Sequence, residues 1–257
     1  MPFTLSHAVV AAPIAKLFKH RLPVAGIAIG SMTPDLYRLF TQNHAHFTHL
    51  WTALIHPNLW VGLLFCCLWY VVYRPVIYRL FNIHDPLTLQ TPIQFIRFIC
   101  AICLALMMGN ITHILWDGLT HVDFRTLILH DFLAQNVIIL KQTYPLHRVL
   151  QLASSFFALP ILIWMCIRYI RKYQQYEPVS AFVKYYVLGL SCITLMIGLY
   201  RIWDYQRLIP QHIWQSDVYY FTGRCINEFT QSSLIIFTIG CLLFLFLNRQ
   251  QRFNQKR

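Results

Sequence analysis

The chain has few charged residues, and acidic residues are the scarcest of them. Its 257 residues include nine Asp and Glu in total, and charged residues make up 12% of the sequence. A soluble globular domain has about a quarter charged residues. The shortage coincides with long apolar runs, since 57% of the residues are hydrophobic. This composition excludes an ordinary soluble domain and predicts an integral membrane protein.

Two kinds of sequence signature are absent as well. Seven of the eight cysteines lie in apolar runs, where a thiol behaves as a small hydrophobic group, and only Cys225 lies in a loop. We therefore expect no disulfide framework. The chain also has no Walker loop, no Rossmann glycine pattern and no G-x-S-x-G motif. We therefore expect no nucleotide cofactor and no serine nucleophile of the G-x-S-x-G type.

Five apolar runs are long enough, or nearly so, to cross a bilayer, which requires about 20 mostly apolar residues. They lie at residues 57–73, 93–115, 149–168, 182–200 and 229–247. With the N-terminal segment described next, they predict an all-α fold. It is a polytopic membrane helical bundle of about five spans plus an N-terminal short-helix hairpin.

Two apolar stretches near the N-terminus, 8–15 and 24–32, are too short to span a bilayer. They fit either a hairpin buried among the other helices or an amphipathic pair on the membrane surface. We favour the hairpin, with its bend at the basic segment from Lys16 to Arg21. Thr33 suits an N-cap and Pro34 a first helical position, so we expect the second stretch to end there and a new short helix to begin.

The chain is expected to form one integral-membrane domain over residues 1–257. Residues 1–56 would supply the N-terminal half-helices and a His-rich outer loop. Residues 57–247 would form the transmembrane bundle, and residues 248–257 a basic cytoplasmic tail.

The net charge of +12 is explained by where the basic residues lie. Loops 74–92 and 168–184 and the C-terminal tail are basic, whereas loops 116–148 and 201–228 each have three basic and three acidic residues. Five spans place the three basic segments on one face, and the positive-inside rule makes that face cytoplasmic. The charge therefore indicates orientation, with a cytoplasmic C-terminus, and contact with anionic membrane lipids. Nucleic-acid binding is not expected.

Ten of the twelve histidines fall on the opposite, outer side of this predicted topology. The two densest groups contain six potential ligands: His44, His46, His49, His113, Asp117 and His121. The last three are spaced four and four, which stacks their side chains on one helix face. The predicted N-terminal hairpin places His7 and Asp35 on the same outer side. Nitrogen and oxygen donors of this kind suit zinc, although His113 and Asp117 alone would also suit a structural hydrogen-bonded pair.

Several segments resemble an uncharacterised bacterial membrane family that is known only as a domain of unknown function. They are the opening M-P-F-T-L-S-H, G-S-M-T-P-D (Gly30 to Asp35), G-N-I-T-H-I-L-W-D-G-L-T-H (Gly109 to His121) and Y-P-L-H-R-V-L-Q-L-A-S-S (Tyr144 to Ser155). The likeness runs in order from residue 1 to about residue 170. It implies a bacterial cytoplasmic (inner) membrane protein.

A more distant likeness is to the membrane-bound metal-dependent hydrolase family, whose pattern is P-D, then H-x-x-x-T-H-S, then H-x-x-x-D. The corresponding residues here are Pro34-Asp35, His44 with Thr48-His49, and His113 with Asp117, while Leu50 replaces the serine. The ligand order is also similar to that of zinc-dependent phospholipase C, an all-α phosphodiesterase. Together these likenesses imply a metal-ligand set: His7, Asp35, His44, His49, His113 and Asp117.

The sequence supports a metal-dependent hydrolase best, although it leaves open whether the chain is an enzyme. One or two Zn²⁺, or Mn²⁺, would activate water, with Asp35 or Asp117 orienting it and His46 or His121 as general acid. The substrate would be a lipid or a lipid-linked phosphoester, and membrane lipids the partners. The alternatives are a non-catalytic, metal-stabilised membrane protein or envelope-assembly factor, and third, a transporter.

Overall fold

The computed structural model describes residues 4–41, 46–212 and 218–254. Within these residues the regular structure is helical apart from one two-stranded sheet, which confirms the predicted all-α class. Its α-helices are α1 (Ala11–Leu17), α2 (Val24–Leu36), α3 (Asn58–Cys67), α4 (Arg74–Leu80), α5 (Pro92–Thr120), α6 (His130–Leu133), α7 (Leu146–Tyr173), α8 (Ala181–Leu208) and α9 (Val218–Asn254).

Five helical segments are long and apolar enough to cross a membrane, and each contains one of the predicted spans. They are Trp51–Leu80, Pro92–Thr120, Leu146–Tyr173, Ala181–Leu208 and Val218–Asn248. In the first of them, a π-helical turn over Leu68–Tyr73 joins α3 to α4. The chain is therefore a multi-pass membrane protein. The last helix continues to Asn254, so much of the segment predicted as a basic tail, 248–257, is helical.

The N-terminal stretches form the predicted helical hairpin. A 3-10 helix over Thr4–Val10 leads into α1, and α2 packs beside α1 after a bend. Ala15 and Ile27 are fully buried in a cluster with Ala105 of α5. Because the hairpin packs on a spanning helix, the structure agrees with the buried interpretation of this segment.

The prediction that a new helix begins at Thr33-Pro34 is wrong. Helix α2 continues through both residues to Leu36, with Pro34 inside its last two turns. The Thr33 hydroxyl donates a hydrogen bond to the Ile29 carbonyl one turn earlier, 2.8 Å away, instead of capping a new helix. A proline this close to a C-terminus removes one backbone hydrogen bond, to the carbonyl four residues earlier, and the helix ends soon afterwards.

Helices α2 and α5 approach each other so closely that only glycine fits at the crossing. A Cβ atom on Gly30 would lie 2.3 Å from the Leu106 carbonyl oxygen, and one on Gly109 would lie 2.2 Å from the Ile27 carbonyl oxygen. Small residues four apart on both helices permit this contact, with Gly26 preceding Gly30 and Ala105 preceding Gly109. The crossing fixes the positions of the polar residues that follow on each helix.

The segment after α5 contains the sheet, which was not predicted. Strands β1 (Asn136–Ile139) and β2 (Gln142–Pro145) pair antiparallel through a two-residue turn. Both turn residues, Leu140 and Lys141, have positive φ values, 52° and 67°. Such turns usually contain Asn and Gly. The turn therefore gave no recognisable signal in the sequence.

The chain divides into two compact units. One comprises Met1–Cys66 and Pro86–Tyr169, and the other Cys67–Asp85 and Ile170–Arg257. The first contains the N-terminal hairpin and α5. The second has its own apolar core, around Val76 and Phe244. The expectation of a single domain stays a prediction.

Candidate metal centre

Five of the predicted ligands meet near the C-terminal end of α5, within the first compact unit. They form two overlapping groups: His7, Asp35 and His113, and His49, His113 and Asp117. In each group the candidate ligand atoms lie within 4.8 Å of one another. All five residues are buried, with at most 7% of their surface exposed. Helix α5 supplies two of them, α2 supplies one, and 3-10 turns supply His7 and His49.

The spacing of the ligand atoms matches a tetrahedral metal shell. The His49 Nε2 atom is 3.4 Å from Asp35 Oδ1 and 3.6 Å from Asp117 Oδ2, and His113 Nε2 is also 3.6 Å from Asp117 Oδ2. Metal–ligand bonds of about 2.1 Å at tetrahedral angles separate ligand atoms by about 3.4 Å. The observed separations therefore suit atoms that bind one ion between them.

The hydrogen bonds around the histidines direct Nε2 lone pairs into the centre. His113 Nδ1 lies 2.7 Å from the Ser31 carbonyl oxygen, which can only accept, so Nδ1 carries the proton. The Thr48 hydroxyl donates to the Pro34 carbonyl, 3.0 Å away, so His49 Nδ1 donates to Thr48 Oγ1 at 3.1 Å. This is the tautomer of a metal ligand whose outer nitrogen is held by a carbonyl or hydroxyl.

Five buried side-chain atoms of these residues have no hydrogen-bond partner among the described residues. They are His7 Nε2, Asp35 Oδ1, His49 Nε2, His113 Nε2 and Asp117 Oδ1. Leaving one buried polar atom unpaired costs about 1–3 kcal/mol, and native proteins contain few of them. Five in one place are accounted for if a cation binds there. The residues present therefore fit a metal ion.

Neighbouring side chains contact the candidate metal ligands and fix their positions. Thr4 Oγ1 donates to Asp35 Oδ2 at 3.0 Å, and the rings of His7 and His113 stack with centroids 4.1 Å apart. Asn58 donates to the Thr48 carbonyl at 2.7 Å, which ties the His49 segment to the start of α3. The centre is thus built by contacts between segments that are far apart in the sequence.

Two arginines contact the two carboxylates. Arg38 Nη1 is 3.5 Å from Asp35 Oδ1, and Arg125 Nη1 is 3.0 Å from Asp117 Oδ2. Burial raises the pKa of Asp35, but Arg38 and His49 outweigh that effect and hold the pKa well below its ordinary value. Burial lowers the pKa of His49, partly offset by Asp35. The two residues are therefore a carboxylate and a neutral imidazole at neutral pH, the forms that bind metals.

The remaining predicted site residues are not in the two groups. His121 is buried, with Nδ1 3.1 Å from the Asp117 carbonyl oxygen and 3.6 Å from Asp117 Oδ1. Burial lowers the pKa of His121 to about 4, so the ring is neutral at neutral pH. His46 is exposed and its ring contacts the edge of Phe124. His44 lies outside the described residues.

The residues that support the ligands were not among the predicted site residues. The Thr48 hydroxyl contacts the Pro34 carbonyl and His49, and the Asn58 amide donates to the Thr48 carbonyl and to Asn110. No spacing rule connects these contacts to the histidines. Arg38 gave a usable signal, because it follows Asp35 by three residues on a helical segment and such pairs face each other. Arg125 lies beyond the end of α5, where helical spacing no longer applies.

A family model described as "Domain of unknown function (DUF4184)" matches residues 1–247. The chain belongs to the DUF4184 family. The predicted membership in an uncharacterised membrane family is thereby confirmed. No curated protein and no solved structure matches the chain at a significant level.

The geometry of this DUF4184 protein favours one ion over two. Both groups of donors include His113, whose Nδ1 is taken by Ser31. Only its Nε2 is left for a metal, and one nitrogen lone pair binds one cation. Three imidazoles and two carboxylates can surround a single Zn²⁺ or Mn²⁺.

Proposed function

We propose that this DUF4184 protein is a membrane-bound metal-dependent hydrolase. The observation that carries the proposal is the convergence of five buried histidine and aspartate residues, with no cysteine among them, each of which has a buried atom without a hydrogen-bond partner among the described residues. Structural zinc sites are typically rich in cysteine, whereas hydrolytic zinc sites use histidine and carboxylate ligands and keep one position for water. The donor set is therefore of the hydrolytic kind. Zn²⁺ is the proposed ion, with Mn²⁺ as the substitute.

The side chains would divide the chemical work between them. A bound zinc ion would supply a water of lowered pKa and polarise a phosphoryl oxygen. His7, His49 and His113 would hold it together with the two aspartates. A carboxylate oxygen of Asp35 or Asp117 would accept a hydrogen bond from the water and orient it. His121, neutral and next to Asp117, would take up a proton. His46, at the exposed edge, would protonate the leaving group.

The proposed substrate is a lipid or a lipid-linked phosphoester. The five ligands belong to a multi-pass protein, and two of them lie at the end of a spanning helix. A centre at that depth is close to lipid headgroups. With the basic loops in the cytoplasm, the centre would face the outer side of a bacterial inner membrane.

The direct test is hydrolysis by zinc-loaded protein in nanodiscs, offered phospholipids and soluble phosphoesters separately. We expect phosphoester cleavage that is lost on chelation, is restored by zinc and is absent in a His113→Ala variant. Hydrolysis of soluble esters in preference to lipids would contradict the proposal that the substrate is a lipid or a lipid-linked phosphoester. If protein with stoichiometric zinc hydrolyses none of these esters, the proposal that it is an enzyme is rejected.

The second candidate is a non-catalytic, metal-stabilised membrane protein, such as an envelope-assembly factor. The depth of burial of the five ligand residues favours it, because five donors can close a shell without leaving a position for water. Cobalt-substituted protein distinguishes the two functions. Its visible spectrum shifts on adding cyanide or azide if a position is open and is unchanged if the shell is closed.

A further inference from the structure

A group of large apolar side chains is exposed on the segment that follows α5. Phe124, Ile128, Leu129 and Phe132 are each between 50% and 58% exposed. We call these four residues the apolar loop surface. Single exposed apolar side chains are common on proteins, but a group of them on one short segment marks a surface that contacts a membrane or another protein.

The segment that carries the apolar loop surface is fixed to the end of α5. The Leu127 N–H donates to the Gly118 carbonyl at 3.0 Å, and the Thr126 hydroxyl donates to the His121 carbonyl at 2.8 Å. Leu127 also packs on α5, because a Cβ atom on Gly118 would lie 2.4 Å from its Cγ atom. At the far end of the segment, Leu133 is buried. The apolar side chains are therefore held outward by the fold.

The apolar loop surface continues the lipid-facing surface of a spanning helix. Helix α5 lies in one of the five candidate spans, and its last two turns expose Leu115, Trp116 and Leu119 by 40–41% each. Tryptophan is enriched where a spanning helix meets the lipid headgroups. Phe124 follows these residues directly, so the apolar loop surface begins at the same level. This continuity favours the membrane around α5 as the partner, rather than a separate protein.

Polar groups of the same segment determine how deep it can lie. The backbone between α5 and α6 is irregular, and His130 and Asp131 are exposed beside Phe132. Irregular backbone and charged side chains are not tolerated in contact with the hydrocarbon core, where there is no water. At the boundary between headgroups and acyl chains, by contrast, apolar side chains enter the lipid by about 5–10 Å while polar groups stay hydrated.

We infer that the apolar loop surface docks into the headgroup–acyl boundary of the leaflet at the C-terminal end of α5, next to the candidate metal centre. Two contacts of the segment join it to the centre. Arg125 Nη1 is 3.0 Å from the candidate ligand Asp117, and the Phe124 ring contacts His46 with centroids 5.3 Å apart. The inference stands without hydrolysis. It adds to the proposed function the side from which a lipid reaches the centre.

The experiment maps lipid contacts on the wild-type protein. It is placed in nanodiscs of phosphatidylcholine, one chain per disc, with a small fraction of phosphatidylcholine that carries a photoreactive diazirine near the headgroup end of its acyl chain. Adducts are located by tandem mass spectrometry. Leu119 of α5 is the lipid-facing reference, and the exposed Glu177 in the loop before α8 is the water-facing reference. A second arm labels the protein with the same lipid in isolated native membranes.

Two variants provide a matched comparison. Ile128→Asp places a carboxylate in the apolar loop surface, whereas Gln135→Asp changes another exposed residue of the same loop outside that surface. We expect wild-type labelling of the apolar loop surface within about threefold of Leu119 and about tenfold above Glu177. Ile128→Asp should lower the labelling of the other three residues about threefold or more, because a charge is disfavoured in lipid. Gln135→Asp should match wild type.

Two results would overturn the inference. One is labelling of the apolar loop surface no higher than that of Glu177 in single-chain discs. The other is labelling in these discs but protection in native membranes, which would assign the surface to a partner protein or a second copy of this chain. If Ile128→Asp does not fold, the wild-type comparison alone decides.

The inference and the proposed function can fail separately. Lipid labelling of the apolar loop surface in a protein that hydrolyses no ester would reject the hydrolase and keep the docking surface. Hydrolysis of lipids by a protein whose apolar loop surface is not labelled would keep the hydrolase and reject the docking surface.

Discussion

Thr48 illustrates how a residue that touches no metal can decide whether its neighbour binds one. Its hydroxyl donates to the Pro34 carbonyl and accepts from His49 Nδ1, so it fixes both the ring orientation and the tautomer of His49. Thr48 is fully buried, and its own carbonyl accepts a hydrogen bond from Asn58. Outer contacts of this kind typically contribute 10- to 100-fold, roughly, to metal affinity.

Replacing Thr48 by valine should therefore weaken zinc binding about 10- to 100-fold while the helices remain folded. The measurement is a zinc dissociation constant from competition with a chromogenic chelator. Thr52→Val is the control, because Thr52 is exposed on the neighbouring 3-10 turn. Equal affinities for Thr48→Val and Thr52→Val would mean that His49 is not held by this hydroxyl.

An ion pair between α8 and α9 has the shortest N–O distance of the ion pairs described in the second unit. Arg201 Nη2 donates to Glu228 Oε2 at 2.8 Å, and the Glu228 side chain is 10% exposed. We expect Glu228→Gln to reduce stability by about 1–2 kcal/mol, less than for a fully buried pair, because Arg201 is 45% exposed. Thermal unfolding in detergent measures the loss, with the exposed Glu177→Gln as control. Equal midpoints for the two variants would contradict a stabilising pair.

Two site residues were predictable from their spacing alone, because both lie on one helix. His113 and Asp117 are four residues apart, so helical spacing alone places them on one face. His7, Asp35 and His49 were assigned by topology and by family likeness, and the structure brings them to the same place. The contacts of Thr48 with Pro34 and of Arg125 with Asp117 do not follow helical spacing, so local sequence patterns did not indicate them.

At the scale of the elements, the crossing of α2 and α5 assembles the centre. The Gly30–Gly109 contact brings the backbones together, so that the Ser31 carbonyl reaches His113 Nδ1 at 2.7 Å. Asp35 follows Ser31 by one helical turn, and Asp117 follows His113 by one turn. Any increase in the separation of the helices would break the hydrogen bond to Ser31 and move the two carboxylates apart.

Gly109→Ala should therefore lower both stability and zinc affinity, the stability by about 1–3 kcal/mol, because its Cβ would overlap the α2 backbone. Gly189→Ala in α8 is the matched control, since a Cβ there has no neighbour within 4 Å. That change should be neutral or stabilising by up to about 1 kcal/mol. Thermal unfolding and zinc titration of both variants check the prediction, and a Gly109→Ala protein with wild-type values would contradict the close crossing.

The elements differ in how well the sequence predicts them. Spans are recognised by length and apolarity, which are local properties, and all five were found. The end of α2 was misplaced because Thr33-Pro34 matches a helix start as well as a tolerated proline near a helix end. The β1–β2 hairpin was missed because Leu140-Lys141 is an unusual pair for its turn.

At the scale of the whole molecule, the distribution of charge predicts which side of the membrane each loop occupies. The basic loops should be cytoplasmic and the neutral loop after α5 should be outside. The division into two compact units, by contrast, had no counterpart in composition, since apolar spans are similar throughout the chain.

Single cysteines at two highly exposed positions test that orientation. Leu140, 94% exposed in the β1–β2 turn, should become reactive to a membrane-impermeant maleimide from outside intact cells after Leu140→Cys. Tyr176→Cys, in the basic loop before α8, should react only after permeabilisation. Wild type gives the background from the native cysteines. The reverse labelling pattern would invert the topology and place the candidate centre on the cytoplasmic side.

The central claim is that His7, Asp35, His49, His113 and Asp117 bind one metal ion. Elemental analysis of the purified, detergent-solubilised protein tests it most directly, beside folded His113→Ala and Asp117→Ala variants and a His130→Ala control. His130 is 60% exposed and lies in α6, outside the two groups. We predict about one zinc or manganese per chain in wild type and His130→Ala, and almost none in the other two. Wild-type protein that holds no metal after incubation with excess zinc and manganese would contradict the claim.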